Sequence, residues 1–531
     1  MIRTRSRAWV SMLAVVTGMA LVAAACGGDS GGSATTSESG SQGAPADEGT
    51  PQSGGSATYL HYIDLTSDWD PWTILPSGYP SWGTRGFAVY GALVTEDTRT
   101  GEVTGEIAES VDSEDGKTWT VRIRDGVEFS DGTPFDAEAV KFNWELAQDP
   151  ERGAISLTQL NEIESMEATE PLALTVELKE VNFQWPSTVA RFMNFIGSPT
   201  AIQAEGDDFG TAPVGAGPFL VDEWVPNDTA HLVRNPNYYK EGQPYLDELT
   251  IQTITDEQQR FDTFRTDSNV ILFTDNDLTR QRARDEGATM TEDTLQGGTS
   301  FLFNAASGVF ADVRARQAFA IGVDMEAMAD VVTSGAGDGV ANLFTEDSPY
   351  FDPEITRPEP DPDRAQELWD EVADEQGGPV EFTLLVTVAT QPWGEYAQAE
   401  LANYGVDMKL ESVRGNEIIP RMVAGDFDVA TKSTTFGAPD PIFYYAMLSD
   451  SSTNFGYYSN PDMDEAIIAA RESEGDAAVE QWKEAQRIFW EDMPNLFYGR
   501  VVLGTLPADN VHGIELSTQS LLLSDEVWVD Q

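Results

Sequence analysis

Between Val111 and Ala147 the chain reads VDSEDGKTWTVRIRDGVEFSDGTPFDAEAVKFNWELA, and its local signals agree on one order: strand, turn, short strand, turn, helix. Trp119-Thr120-Val121-Arg122-Ile123-Arg124 alternates apolar and polar residues, the two-residue period of a half-buried strand. Asp125-Gly126 turns the chain, Val127-Glu128-Phe129 runs back, and Ser130-Asp131-Gly132 turns it again. Asp136 then stands where its carboxylate can accept from the first free amides of a helix, which places Ala139, Val140, Trp144 and Ala147 on one face. Elsewhere the same grammar recurs. Val380–Thr387 reads as a buried strand, Glu395–Tyr404 as a helix ended by Gly405, and Val406–Leu410 as the next strand, the pattern of an α/β lobe.

The N-terminus follows other rules. Arg3, Arg5 and Arg7 precede an uncharged, mostly apolar run from Trp9 to Ala25, which reads as a secretory signal over 1–25. The sole cysteine, Cys26, follows Ala23-Ala24-Ala25, an arrangement that looks like a lipobox, with Cys26 as the lipidation site. One cysteine also rules out an intrachain disulfide. Residues 26–56 are rich in Gly, Ser and Thr and too poor in apolar side chains to offset their ordering entropy, so they read as a flexible tether. A tether between a lipid-bearing residue and a folded body implies a protein held at the outer face of the cytoplasmic membrane.

The 531 residues carry 90 acidic against 31 basic side chains, a formal charge of −59. Such a surface is repelled by a phosphate backbone and argues against nucleic acid as a partner. Catalysis finds little support. His61, His231 and His512 are far apart and lack metal-ligand spacing, and no Gly-x-Ser-x-Gly elbow is present. Gly215-Ala216-Gly217 is followed by no Lys-Ser/Thr and leads into a strand-like run, so it is not a phosphate loop. No catalytic residue, metal site or cofactor is expected.

The 111–147 stretch resembles the signature of the family 5 extracellular solute-binding proteins, receptors of peptide- and nickel-type ABC importers. Further blocks fit that family: Tyr90 and Leu93; Gly215-Ala216-Gly217-Pro218-Phe219 with Arg234-Asn235-Pro236-Asn237-Tyr238; Phe310 with Asp312-Val313-Arg314-Ala315-Arg316-Gln317-Ala318; and Asn454, Tyr458, Asn460, Pro461, Asp464, Asp492 and Pro494. The resemblance implies an α/β, two-lobed, periplasmic-binding-protein-like fold of type II, with an extra subdomain in the first lobe and a two-stranded hinge. Lobe 1 is expected over 57–303 and 499–531, lobe 2 over 304–498. The implied function is an extracytoplasmic solute receptor, a monomer that closes on a peptide, oligosaccharide or metal chelate and delivers it to ABC permease subunits. A sensor on the same scaffold and a secreted carbohydrate-active enzyme are the alternatives.

A cleft receptor needs aromatic walls and a few orienting polar groups. Trp82, in the loop-like SGYPSWGTRG, and Trp393, after the strand at 380–387, are therefore candidate ligand contacts, with Phe436, Gly437 and Asp440 of TTFGAPDP. Peptide receptors of the family carry an aspartate a few residues before an Asp-Pro pair, where it meets the peptide α-ammonium. Here Asp440-Pro441 supplies the pair, but the position three residues earlier is Gly437.

Overall fold

The computed structural model describes residues 49–63, 68–76 and 80–531. The expected signal segment, Cys26 and most of the tether lie outside the described residues. Gly49–Gln531 forms one compact unit built on two large sheets.

Seven strands form the first sheet, in the order Thr291–Thr294, Val502–Pro507, Val270–Thr274, Ser56–His61, Glu248–Thr253, Thr229–Arg234 and Phe219–Val225. Ser56–His61 runs parallel to both neighbours and the outer pairs are antiparallel. Ile271, Leu272 and Phe273 are buried there, as expected of a strand with both faces covered. The second sheet has five strands, ordered Asp407–Ser412, Glu381–Val386, Val429–Phe436, Gln296–Phe303 and Asn495–Gly499. One hydrophobic core runs from Ala57 to Leu295 and resumes at Leu503; another is drawn from Phe301 to Tyr498.

The chain passes between the sheets twice, and the two passages lie side by side. Thr291–Thr294 pairs antiparallel with Val502–Pro507 in the first sheet, and Gln296–Phe303 pairs with Asn495–Gly499 in the second. That is the two-stranded hinge. Arg500 pins it by donating to the carbonyls of Gly297 (3.0 Å), Leu343 (3.0 Å) and Asn342 (2.5 Å).

The 111–147 stretch belongs to a four-stranded antiparallel sheet, the extra subdomain of the first lobe. Thr118–Ile123 is its alternating strand and buries Trp119, Val121 and Ile123. Asp136 caps the helix Ala137–Ala147, accepting from the Ala139 amide at 2.9 Å. The return strand at 127–129 does not form. Phe129 instead bonds across the turn to Thr133, leaving one isolated bridge between Glu128 and Pro134. A helix spans Pro80–Tyr90, and two more, Val313–Gly322 and Met325–Thr333, follow each other in the second lobe, the latter capped by Asp324. One further boundary differs from the sequence reading. The helix expected to start at Glu395 begins at Gln391. Gly215 needs no ligand: a Cβ there would fall 2.2 Å from the Val89 carbonyl oxygen, so the glycine lets this backbone pack on the helix end.

Candidate functional site

Where the lobes meet, segments 94–98 and 182–191 of the first lobe face 434–445 and 470–482 of the second. Ser187 donates to the Asp440 carbonyl at 3.3 Å, the Phe183 amide to the Arg471 carbonyl at 2.8 Å, and Gln184 to the Ala470 carbonyl at 3.1 Å. Gln519, from the C-terminal segment, reaches the Thr435 carbonyl at 3.3 Å. Two ion pairs stiffen this seam. Glu96 and Arg191 pair at 2.6 Å with no side-chain exposure, and Ser187 donates to the other Glu96 oxygen at 2.5 Å. Asp440 is gripped by Arg471, whose Nη2 lies 3.0 Å from Oδ1. The same guanidinium stands 3.5 Å above the Tyr444 ring and 3.3 Å from Glu162, which also accepts from Tyr445. A cavity of about 340 Å³ opens beside them, with Glu162, Lys179 and Asn182 on one wall and Tyr444, Tyr445 and Arg471 on the other.

Val429–Phe436 is the strand that carries the second lobe into the seam. Along one side it pairs with Gln296–Phe303 over its full length; along the other, Glu381–Val386 matches it only at Val429 and Ala430. Beyond Ala430 no strand among the described residues lies beside that edge. Trp393 belongs to the helix that follows Glu381–Val386. It is half-buried, with its ring 4.7 Å from that of Tyr498 and its tip against Gly499. Thr390, in the same turn, meets Thr431 hydroxyl to hydroxyl at 2.8 Å.

The chain belongs to the family 5 extracellular solute-binding proteins. The family model described as "Bacterial extracellular solute-binding proteins, family 5 Middle" matches residues 102–456. Among curated relatives, the glutathione-binding protein GsiB of Escherichia coli (strain K12) is 25% identical over 406 residues, covering 72% of this chain and 77% of that one. The binding protein AgaA from A. tumefaciens R10, solved with agropinic acid, superposes with a TM-score of 0.76 at 20% identity over 90% of this chain and 99% of that one. The oligopeptide-binding protein AppA from Bacillus subtilis, solved with a nonapeptide, gives 0.76 at 20% identity over 91% and 100%. As a family 5 solute-binding protein, the chain is an extracytoplasmic receptor of an ABC importer with the two-lobed type II fold.

In this family 5 receptor the five candidate residues are not equivalent. Trp82 lies in the helix Pro80–Tyr90 rather than in a loop, half-buried against the first lobe's core. Burial of Phe87, Ala88, Val89 and Tyr90 outweighs the low helix propensity of Gly83 and Gly86. Phe436 is fully buried in the second lobe's core, 5.6 Å from the rings of Phe344 and Phe443. Gly437 lies at the seam, and a Cβ there would fall 2.5 Å from the Thr98 carbonyl oxygen and 2.4 Å from Arg191 Nη2. Asp440 has no exposure and its carboxylate is bound to Arg471. Sequence reasoning passed over Lys432, which stands on the same strand; the available cue was a lysine within the strand-like run VATKSTTF.

Several carboxylates in the first lobe are shifted upward. Burial pushes up Asp293, which accepts from Thr98 (3.1 Å) and Ser520 (3.3 Å), and Asp275, which accepts from Tyr62 (2.8 Å). Burial and then neighbouring Asp68 raise Asp70 to about 6. A raised carboxylate holds its proton in the fold at a pH where the unfolded chain has released it, so stability is lost as pH rises through the folded value. The melting temperature is therefore expected to climb by several degrees from pH 8 to about pH 5. Further down it should fall, as groups such as Asp115 lose their advantage; the Thr118 and Lys117 amides hold that carboxylate at about 2. Calorimetry across this range checks the profile, and a flat or falling line from pH 8 to pH 5 would contradict it.

Proposed function

We propose that this receptor holds a small solute, of peptide or oligosaccharide size, against the free edge of Val429–Phe436, with Trp393 as one wall and the 434–440 loop as another. The observation that carries the reading is that unpaired edge, which lies beside a half-buried indole and a few residues before a loop seated on the other lobe. A solute there touches lobe 2 along the strand and lobe 1 through Trp82 and the segment around Gln519. It makes both sets of contacts only when the lobes are together, so its differential affinity shifts the population toward closure. The lobes are taken as 57–303 with 499–531, and 304–498; the core from Ala57 to Leu295 and from Leu503 onward supports the first, whereas Phe301 and Phe303 pack in the second core and belong with the second lobe. The protein works as a monomer anchored through lipid on Cys26, and its task is binding without turnover.

The peptide subclass that relies on an aspartate for the α-ammonium is disfavoured. Gly437 stands at that position, and no side chain fits between it and Thr98 while the lobes are together. Asp440 offers no substitute, since Arg471 occupies its carboxylate.

Thermal denaturation against peptides, oligosaccharides and metal chelates tests the reading. A true solute at a hundredfold excess over Kd is expected to add about 2.7 kcal/mol of stability. Trp393→Ala should leave the protein folded, because the indole is half-exposed, yet weaken that solute by more than tenfold, about 1.4 kcal/mol or more. Unchanged affinity would remove Trp393 from the site, and no stabilisation by any class would remove the receptor reading itself.

A further inference from the structure

Lys432 is an enclosed lysine without a carboxylate in a strongly acidic chain. Lys141, Lys240, Lys409 and Lys483 each lie within 4 Å of a carboxylate; among the described residues half-buried Lys117 and exposed Lys179 do not, so what sets Lys432 apart is the protein around its ammonium. Among the described residues Lys432 meets none: its ammonium donates to Thr434 Oγ1 at 2.7 Å and the Ser433 carbonyl at 3.4 Å, and lies 5.7 Å from the centre of the Phe455 ring. Those contacts aim the side chain along the strand toward the seam. They also bring the charge to the stretch beyond Ala430, where Val429–Phe436 has a strand on one side only. The residue keeps some solvent access, although protein surrounds its ammonium.

An ammonium withdrawn from water without a counter-ion is costly. With 90 carboxylates in the chain, a partner from the protein would be easy to supply. A chain of charge −59 also repels anions at long range, so an anionic solute needs a local cation to be held. Arg500, two strands away just past the sheet, adds to the positive field at the hinge. Its guanidinium is spent on backbone carbonyls, and burial pulls it down to about 10.

We propose that Lys432 is the anion anchor of the solute site, and that the solute carries a carboxylate which the ammonium meets as the lobes close. This rests on the receptor reading above and names the chemical class of its solute. A single ammonium acts as a point charge that matches one carboxylate, whereas bidentate recognition of a phosphate dianion favours a guanidinium fork. Closure excludes water and so strengthens the pair. Burial alone lowers the free ammonium to about 8, with no charged side chain contributing. Binding of an anion raises it again, so affinity for the acid falls as pH increases above about 8.

The test uses the mature chain, thermal shift and calorimetric titration, with matched probes: galacturonate against galactose, and alanyl-alanine against its C-terminal amide. At least one acid is expected to bind, at least tenfold more tightly than its neutral partner, and to weaken between pH 7 and pH 9.5. Lys432→Met should erase the preference without lowering the melting temperature of the free protein, and Lys432→Arg should retain part of it. A preference that survives in Lys432→Met overturns the anchor. Binding of neutral probes as tightly as the acids, or without them, also overturns it but leaves the receptor reading standing. Silence from both sets counts against both.

Discussion

Replacing Gly437 by alanine is expected to hold the two lobes apart. The new Cβ would lie 2.5 Å from the Thr98 carbonyl oxygen and 2.4 Å from Arg191 Nη2, and neither neighbour can give way. Thr98 contributes main chain, and Arg191 is tied to Glu96 at 2.6 Å with both side chains out of water. The 437–441 loop must therefore back away, so the closed form becomes a minor population. Because apparent affinity scales with that population, solute binding should fall on the order of a hundredfold. Thermal stability should change far less, since each lobe keeps its own core. Gly415→Ala is the control: nothing lies within 4 Å of a Cβ there, and it should alter neither affinity nor shape. Small-angle scattering with solute present would show a larger radius of gyration for Gly437→Ala alone. Wild-type affinity and an unchanged radius would show that the lobes need not meet at this point.

Arg471→Met should be the most destabilising single change at the seam. It removes the partner of Asp440, which has no exposure, and of Glu162, which also takes the Tyr445 hydroxyl. The stacking of the guanidinium on Tyr444 goes with it. Stripping one member from a buried pair costs about 3–5 kcal/mol, because the charge left behind is neither solvated nor compensated. Asp440→Asn should cost less, since Arg471 keeps Glu162 at 3.3 Å. The deficit in Arg471→Met should also shrink with acid. Without its cation, Asp440 keeps a proton in the fold to a higher pH than in the unfolded chain, so stability returns as pH falls. Urea denaturation at pH 8 and pH 5 measures both effects. A loss below about 1 kcal/mol at pH 8 would mean that the pair is solvated and contributes as little as a surface ion pair.

Local order was legible wherever short-range rules act alone. The alternation of 118–123, the Asp136 cap and the largely buried strand at 381–386 all follow from periodicity and hydrogen-bond supply within a few residues. Boundaries slipped where tertiary contacts overrode propensity. The glycines around Trp82 read as a loop, yet burial of Phe87 to Tyr90 holds them in a helix. Val127–Phe129 reads as a strand, but its backbone pairs only across the next turn, with Thr133 to Phe135.

The candidate site shows the same division. Sequence pattern alone was enough to single out Trp393, the 434–440 segment and the family to which the chain belongs. It had no means of separating Phe436, enclosed among core aromatics, from Gly437 one residue later, which touches the other lobe. Nor could it assign Asp440 to Arg471, 31 residues away in sequence, or leave Lys432 without a carboxylate when acidic residues are so abundant. Pairing and burial of charge depend on which segments meet after the chain has crossed the hinge and returned. The sequence by itself determined most of the elements, because those follow from local hydrogen bonding and apolar periodicity, and its family motifs implied the two-lobed plan. Only the tertiary structure decided which polar groups are spent on holding the seam and which are left without an ionic partner, because that depends on segments brought together from far apart in the chain.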